Sequence, residues 1–157
     1  YYESPLIIAG VDTAMNTISL KPTEFTVTVE GRVWRDDEDD EGTGSGDGEL
    51  QKGDSGDTPT NGEEVVLTVT DPASGNTRTH RTRTERSGVG SDAEDGIFSI
   101  SGVTWKDSDY SGTQSTAMAT ITVKEATTIH LPSGGDADEG EVELISGTDN
   151  YVEVLFD

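Results

Sequence analysis

A chain of 157 residues with 32 acidic and only 10 basic side chains has a formal net charge of −22, which disfavours binding to nucleic acid or to an anionic membrane. It has no cysteine, so disulfides, thiolate chemistry and cysteine-based metal sites are excluded. The length fits one domain with enough chain to bury a core.

The composition is poor in lysine and rich in threonine, serine and glycine, and it resembles that of proteins from extreme halophiles, in particular archaea. Salt screens the self-repulsion that such a charge causes in a compact domain. An ordinary acidic surface protein is the alternative. The chain does not begin with Met, from which we expect an exported protein whose signal peptide has been removed, with a trimmed chain as the alternative. No apolar run approaches the roughly 20 residues of a membrane helix, so we expect no membrane insertion.

The first predicted element is a short apolar strand near the start of the chain. Its side chains are Leu6, Ile7, Ile8, Ala9 and Val11. A β-prone segment at a chain end can add to an open sheet edge of another molecule, or it can be the first strand of its own sheet. We therefore divide the chain into an N-terminal extension, residues 1–14, which is a possible donor strand, and a sandwich domain, residues 15–157.

Alternation with a period of two residues then recurs along the chain, while helical periodicity is nearly absent. The apolar positions that share a face within successive segments are Phe25, Val27 and Val29; Val65, Leu67 and Val69; Phe98 and Ile100, then Val103 and Trp105 after Gly102; and Ala117, Ala119, Ile121 and Val123. Further short strands are predicted at residues 127–131, 141–145 and 151–156. The pattern predicts an all-β fold: a single antiparallel β-sandwich, immunoglobulin-like or jelly-roll in topology.

The connections between these strands have turn composition. Residues 70–77 (TDPASGNT) predict a turn in which Gly75 and Asn76 can take positive φ. Residues 146–150 (SGTDN) predict the turn of a C-terminal hairpin. Residues 36–62 are acidic and rich in glycine with almost no apolar side chain, so we expect a long solvated loop.

The stretches EEVVLTVTDPASGNTRT, DGIFSISGV and TAMATITV, within residues 63–124, resemble strands of immunoglobulin-like modules in prokaryotic surface proteins. The whole chain is similar, more loosely, to the exported β-sandwich subunits of TasA-like and archaeal bundling-pilus filaments. In that family an N-terminal strand of one subunit completes the sheet of the next, and SPLIIAGVD is the matching segment here. The chain lacks the long apolar N-terminal helix of type IV pilins and archaellins.

A basic segment, TRTHRTRTER, has no apolar face and therefore predicts an edge or protruding strand. We hypothesise that its arginines meet the acidic loop of a neighbouring subunit, because the guanidinium fork binds carboxylates well. An intramolecular cross-strand arrangement or a solvated patch is the alternative. The residues predicted for this interface, besides those of the N-terminal strand, are Arg78, Arg81, Arg83, Arg86, Asp36, Asp37, Asp39 and Asp40.

The acidic loop also suggests a calcium site, with weak candidate ligands at Asp37, Asp39 and Glu41. The twelfth position of that loop is Gly48 where an EF-hand needs a bidentate Glu, so a solvated loop that binds divalent cations at most weakly is favoured. We expect no cofactor.

Neither His80 nor His130 lies in a local catalytic signature, and we expect a protein that is not an enzyme. Four aromatic residues suggest a carbohydrate platform, although packing in the core is the commoner fate of such side chains. These residues are Trp34, Trp105, Tyr110 and Tyr151.

Together these observations predict a structural subunit of an extracellular, pilus-like filament or surface assembly, with copies of itself as partners and N-terminal strand donation as the mechanism. One alternative is a structural protein of a halophilic virus, such as a tail-tube, turret or capsid-decoration subunit. The other is a surface module that binds glycan or calcium.

Overall fold

The structure is a computed structural model that describes residues 23–36, 48–50, 52, 57–108, 114–124, 126, 128–131 and 140–156. The predicted N-terminal strand and most of the acidic loop lie outside these ranges. Ten strands and one short 3-10 turn, Gly90–Asp92, are described. The strands are β1 Thr23–Arg35, β2 Thr58–Pro59, β3 Glu64–Thr70, β4 Thr77–Arg83, β5 Glu85–Ser87, β6 Glu94–Asp107, β7 Thr116–Val123, β8 Ile129–His130, β9 Glu141–Ile145 and β10 Asn150–Phe156.

The strands form two sheets that pack as a sandwich, which confirms the predicted all-β class. One sheet has the order β5-β6-β1-β10-β8, with β2 also paired to β1, and the other has the order β4-β3-β7-β9. The pairing is antiparallel throughout, except that β1 and β10 run parallel from the pair Val29–Asn150 to the pair Arg35–Phe156. This parallel pair departs from the purely antiparallel sandwich expected. None of the described residues belongs to a helix long and apolar enough to cross a membrane.

The predicted alternation is confirmed by burial. In β3 the side chains of Val65, Leu67 and Val69 point into the core and are at most 1% exposed, while the residues between them are half-buried on the outer face. The largest side chain of the core is Trp105, and its indole nitrogen donates to Ser115 Oγ at 3.0 Å. The core therefore lies between the two sheets, built from the inward residues of the long strands.

A bulge explains why the apolar pattern of β6 changes phase at Gly102. Val27 of β1 pairs with Val103 and Val29 pairs with Ile100, so two residues of β6 oppose one residue of β1. Gly102 supplies the positive φ of 69° that this bulge requires. The sequence pattern placed Val103 and Trp105 on the buried face after Gly102, and the structure confirms both.

The predicted C-terminal hairpin is wrong. Residues 146–150 do form a turn, but β9 pairs with β7 in one sheet and β10 pairs with β1 and β8 in the other. The two strands therefore belong to different sheets instead of lying side by side in one. The side chain of Asn150 accepts from Ile145 N at 2.9 Å and donates to Ile145 O at 3.0 Å, and these bonds stabilise the crossing between the sheets.

The expectation that residues 36–62 form one solvated loop is also too simple. Thr58 and Pro59 pair with the end of β1, and Asp57 is only 3% exposed. Trp34 and Leu155 lie opposite each other on the outer face of their sheet, yet both are buried. Lys52, from within this segment, lies over the Trp34 ring at 5.5 Å, so part of the segment covers this face.

Candidate assembly surface

The basic segment forms β4, which is the end strand of the four-stranded sheet as far as the structure describes the chain. This confirms the prediction of an edge strand. The turn before it is also as predicted, with Gly75 at φ 74° and Asp71 accepting hydrogen bonds from Ala73 N and Ser74 N. This turn fixes the register of β4 against β3, from Thr70–Thr77 to Glu64–Arg83.

Arg81 and Arg83 lie on the outer face of β4, with side chains 63% and 70% exposed. Both guanidinium groups contact the carboxylate of Glu64 on β3, at 3.1 Å from Arg81 and 3.9 Å from Arg83. Arg83 also donates to Gly62 O at 3.1 Å. One carboxylate thus lies beside two arginines, which leaves excess positive charge on the outer face of β4 in an otherwise acidic protein.

Arg78, His80 and Thr82 lie on the inner face of β4, opposite the core residues of β3. Arg78 donates to Thr104 Oγ1 of β6 at 2.7 Å, so its side chain spans from one sheet to the other. His80 is half-buried, and its Nε2 is buried without a hydrogen-bond partner among the described residues. These polar residues lie between the two sheets at the side of the sandwich where the apolar core ends.

After β4 the chain changes sheets at Thr84, which is 3% exposed. Its hydroxyl accepts from Glu63 N at 2.9 Å and donates to Thr60 O at 2.7 Å. The chain then continues as β5, the end strand of the other sheet, where Arg86 lies 3.4 Å from Asp95. We call the side of the sandwich formed by β4 and β5 the basic edge.

The four arginines predicted for the interface therefore all lie on the basic edge. Among the described residues their carboxylate contacts are Glu64 and Asp95, which no pattern in the sequence had singled out. The contact of Glu64 with these arginines was predictable, because a hairpin that turns at residues 70–77 places residue 64 opposite residue 83. These contacts are exposed and lie within one chain, which is the alternative given above for the basic segment. Each contributes only about 0–1 kcal/mol to the stability of the fold.

Asp36, the first residue of the acidic loop, is 7% exposed. Its amide donates to Phe156 O at 2.8 Å, and its Oδ2 accepts from Gly48 N at 2.9 Å. Asp36 thus joins the two ends of the loop instead of presenting its carboxylate at the surface, because β1 ends against β10 at this point. The other predicted acidic candidates, Asp37, Asp39, Asp40 and Glu41, lie outside the described residues, and the described part holds no cluster of three or more ligands suited to a metal ion.

The aromatic candidates do not form a common platform in the part of the chain that is described. Trp34 and Trp105 are 5% and 1% exposed, so packing is confirmed for both, and Tyr110 lies outside the described residues. Tyr151 is 55% exposed on the outer face of β10. Partial burial raises its pKa above the usual value, and the nearby Glu153 carboxylate raises it further.

The two histidines lie far apart in the topology. His80 is on the basic edge, and His130 is on β8, where its ring lies against Gly48. Ser115 donates to the Asp107 carboxylate and accepts from Trp105, an arrangement in which the serine hydroxyl is already committed to two partners. This group stabilises the end of β6 against the start of β7.

Compared with known proteins, the chain matches no family model, no curated protein and no solved structure. Proposals about its function therefore rest on the geometry of the described surface and on the charge of the chain. The most distinctive feature is the basic edge, a row of arginines at the side of a β-sandwich in a protein with a net charge of −22.

Proposed function

We propose that the chain is a non-catalytic, repeating structural subunit of an extracellular filament or surface assembly, and that its partners are copies of itself. The observation that carries the proposal is the basic edge. β4 ends its sheet in the described structure, both of its faces are polar, and the Arg81 and Arg83 side chains project from it.

An edge strand is a template for assembly because its outer backbone groups can pair with a strand from another molecule. Backbone hydrogen bonds then supply affinity, and alternate side chains supply specificity. The charge on β4 selects an acidic partner and opposes pairing with another β4, since like charges would then meet.

The protein itself is the acidic partner present at the highest local concentration in any assembly of this chain. With a net charge of −22, copies repel one another in general, so contact is favoured only where a basic surface meets an acidic one. Salt weakens the general repulsion, which acts over the Debye length of about 10 Å at 0.1 M and about 3 Å at 1 M. Assembly is therefore expected to require high salt, as suits a halophilic surface protein.

The apolar N-terminal segment provides the second part of the mechanism. Leu6, Ile7 and Ile8 form a β-prone run that can pair with an open sheet edge of a neighbouring subunit. On this proposal the strand is apolar because it is buried between subunits, and the arginine contacts set the orientation of one subunit relative to the next.

The experiment compares the intact chain with a variant carrying Leu6→Asp and Ile8→Asp, both in molar salt. Light scattering and negative-stain microscopy should show ordered polymers for the intact chain and a folded monomer for the variant. The matched control is Thr26→Asp with Thr28→Asp, which adds the same charge to exposed positions of β1.

Three outcomes separate the possibilities. If the control polymerises and the N-terminal variant is a folded monomer, strand donation is supported. If the N-terminal variant polymerises like the intact chain, donation is rejected although the assembly remains. If the variant unfolds by circular dichroism, the segment belongs to its own sandwich, and assembly must use other surfaces.

A further inference from the structure

The two ends of the four-stranded sheet carry opposite charges on the same face. At one end, β4 places Arg81 and Arg83 on the outer face. At the other end, β9 pairs with β7 so that Glu143 lies opposite the exposed Met118 and Glu141 lies opposite Thr120. Leu144 of β9 is buried against the core, so the two glutamates also belong to the outer face.

The direction of the strands lets these two ends meet without turning the molecule over. β4, β3, β7 and β9 are antiparallel at every step, so β9 runs opposite to β4. If a second copy is placed beside the first by translation across the strands, β9 of one copy meets β4 of the next as an antiparallel neighbour. The outer faces of both sheets then remain on the same side.

We propose that copies of this chain join edge to edge, with β9 of one subunit pairing antiparallel with β4 of the next to continue the four-stranded sheet. This inference rests on the proposed function as a self-assembling subunit and identifies one of its contacts. It leaves the ends of the other sheet, β5 and β8, to the donated N-terminal strand.

Charge selects one register for this pairing. When Arg83 lies opposite Glu141 of the next copy, Arg81 lies opposite Glu143, so both cross-strand pairs have opposite charge. In the same register Thr79 lies opposite Ile145. Within β4 and β9 as the structure describes them, a shift by two residues leaves a single pair of opposite charge, either Arg81 with Glu141 or Arg83 with Glu143. A shift by one residue moves the arginines and glutamates to opposite faces.

The contact repeats because it is heterologous: each subunit offers β4 on one side and β9 on the other. Such an interface generates an open filament unless the rotation between subunits closes a ring. The twist of about 20–25° between neighbouring strands turns each copy relative to the last, so the filament is expected to be helical.

Disulfide trapping tests the register directly, because the chain has no cysteine of its own. The test variant is Thr79→Cys with Ile145→Cys, which leaves all four charges in place. Directly opposite residues have Cβ atoms about 4.5–5.5 Å apart, close to the distance that a disulfide needs. Within one chain the two positions are on strands three steps apart, or at least about 14 Å, and cannot be bridged.

The matched control is Thr77→Cys with Ile145→Cys, which also leaves all four charges in place and lies about 7 Å out of register in the proposed contact. After mild oxidation in molar salt, the test variant should give a ladder of covalent multimers on a non-reducing gel, and the control should give none. Both variants should be monomers when oxidised in denaturant.

The possible outcomes distinguish failure of the β4–β9 contact from failure of the proposed self-assembly. If microscopy shows polymers of the test variant but no ladder forms, the β4–β9 contact is overturned and self-assembly stands. If both variants give equal ladders, the register is overturned. If neither polymers nor a ladder form, both proposals fail.

Charge reversal provides a second, independent readout. Arg81→Glu with Arg83→Glu should abolish assembly, as should Glu141→Arg with Glu143→Arg, while the combination of all four should restore it. The control for the Glu141 and Glu143 variant is Glu24→Arg with Glu30→Arg on the outer face of the other sheet, which makes the same change of charge and should leave assembly intact. Folded variants whose combination fails to restore assembly would contradict the charge pairing.

Discussion

Glu64 on β3 lies directly opposite Arg83 on β4, and its carboxylate is closer to Arg81, at 3.1 Å, than to Arg83, at 3.9 Å. Because both guanidinium groups are mostly exposed, water and salt screen these contacts. We expect Glu64→Gln to change the free energy of unfolding by less than about 1 kcal/mol. Urea denaturation at low and at molar salt measures this, and a loss above about 2 kcal/mol would show that the pair is a major stabilising contact.

Asp71 should matter more to stability than any surface carboxylate. It is 7% exposed and accepts hydrogen bonds from Ala73 N, Ser74 N and, at 3.1 Å, Lys106 N of β6. Asp71→Ala removes the charged acceptor of these partly buried hydrogen bonds, and we expect a loss of about 2 kcal/mol. Asp149→Ala, in an exposed turn, is the control and should change stability by less than about 0.5 kcal/mol. Equal effects in urea denaturation would refute this role for Asp71.

Gly31 is required by the parallel pairing of β1 with β10. A Cβ at this position would lie 2.1 Å from Val152 O and 2.6 Å from the Phe98 ring. Gly31→Ala must therefore move the backbone of β10, and we expect a loss of about 3 kcal/mol or more of unfolding free energy.

The control for Gly31→Ala is Gly102→Ala, where nothing lies within 4 Å of the added Cβ but φ is positive. That change should carry only the strain of the left-handed conformation, about 1–2 kcal/mol. Thermal unfolding shows which of the two variants is less stable. A Gly31→Ala variant as stable as the natural protein would argue against the close approach of β1 and β10.

Tyr151 makes the free energy of unfolding depend on pH in the alkaline range. Its pKa is raised by partial burial and then by the Glu153 carboxylate, so the folded chain holds the phenol proton to higher pH than the unfolded chain does. The phenol of the unfolded chain titrates near pH 10. Above that pH the unfolded state binds fewer protons than the folded state, so the free energy of unfolding falls as pH rises towards the pKa of the folded state.

Alkaline absorbance titration measures the Tyr151 pKa, with Tyr151→Phe identifying its contribution. Glu153→Gln should lower the pKa towards the usual value, since it removes the negative charge beside the phenol. A titration midpoint of Tyr151 at or below pH 10 in the natural protein would contradict the raised pKa.

The sequence predicted the features that depend on local pattern. The alternation of Val65, Leu67 and Val69, the change of phase at Gly102 and the turn at residues 70–77 are each determined by neighbouring residues. The edge position of β4 was also predictable, because a strand without an apolar face cannot be covered on both sides in a sandwich.

Features that depend on which sheet a strand joins were not predictable. Strands β9 and β10 have the same apolar alternation whether they form a hairpin or join different sheets, so the crossing at residues 146–149 carried no distinct signal. Trp34 is buried beside Leu155 of β10 and beneath Lys52, which are both distant from it in sequence. The opposite charges of β4 and β9 became visible only when the strand order placed them at the two ends of one sheet.

Self-assembly of this chain can be read from its mass in solution. Light scattering should be recorded over a range of protein concentrations, in molar salt and in dilute buffer. We predict particles many times the 16.6 kDa of one chain in molar salt, growing with concentration and dispersing when the salt is removed. A single species of 16.6 kDa at every concentration and salt level would contradict the account.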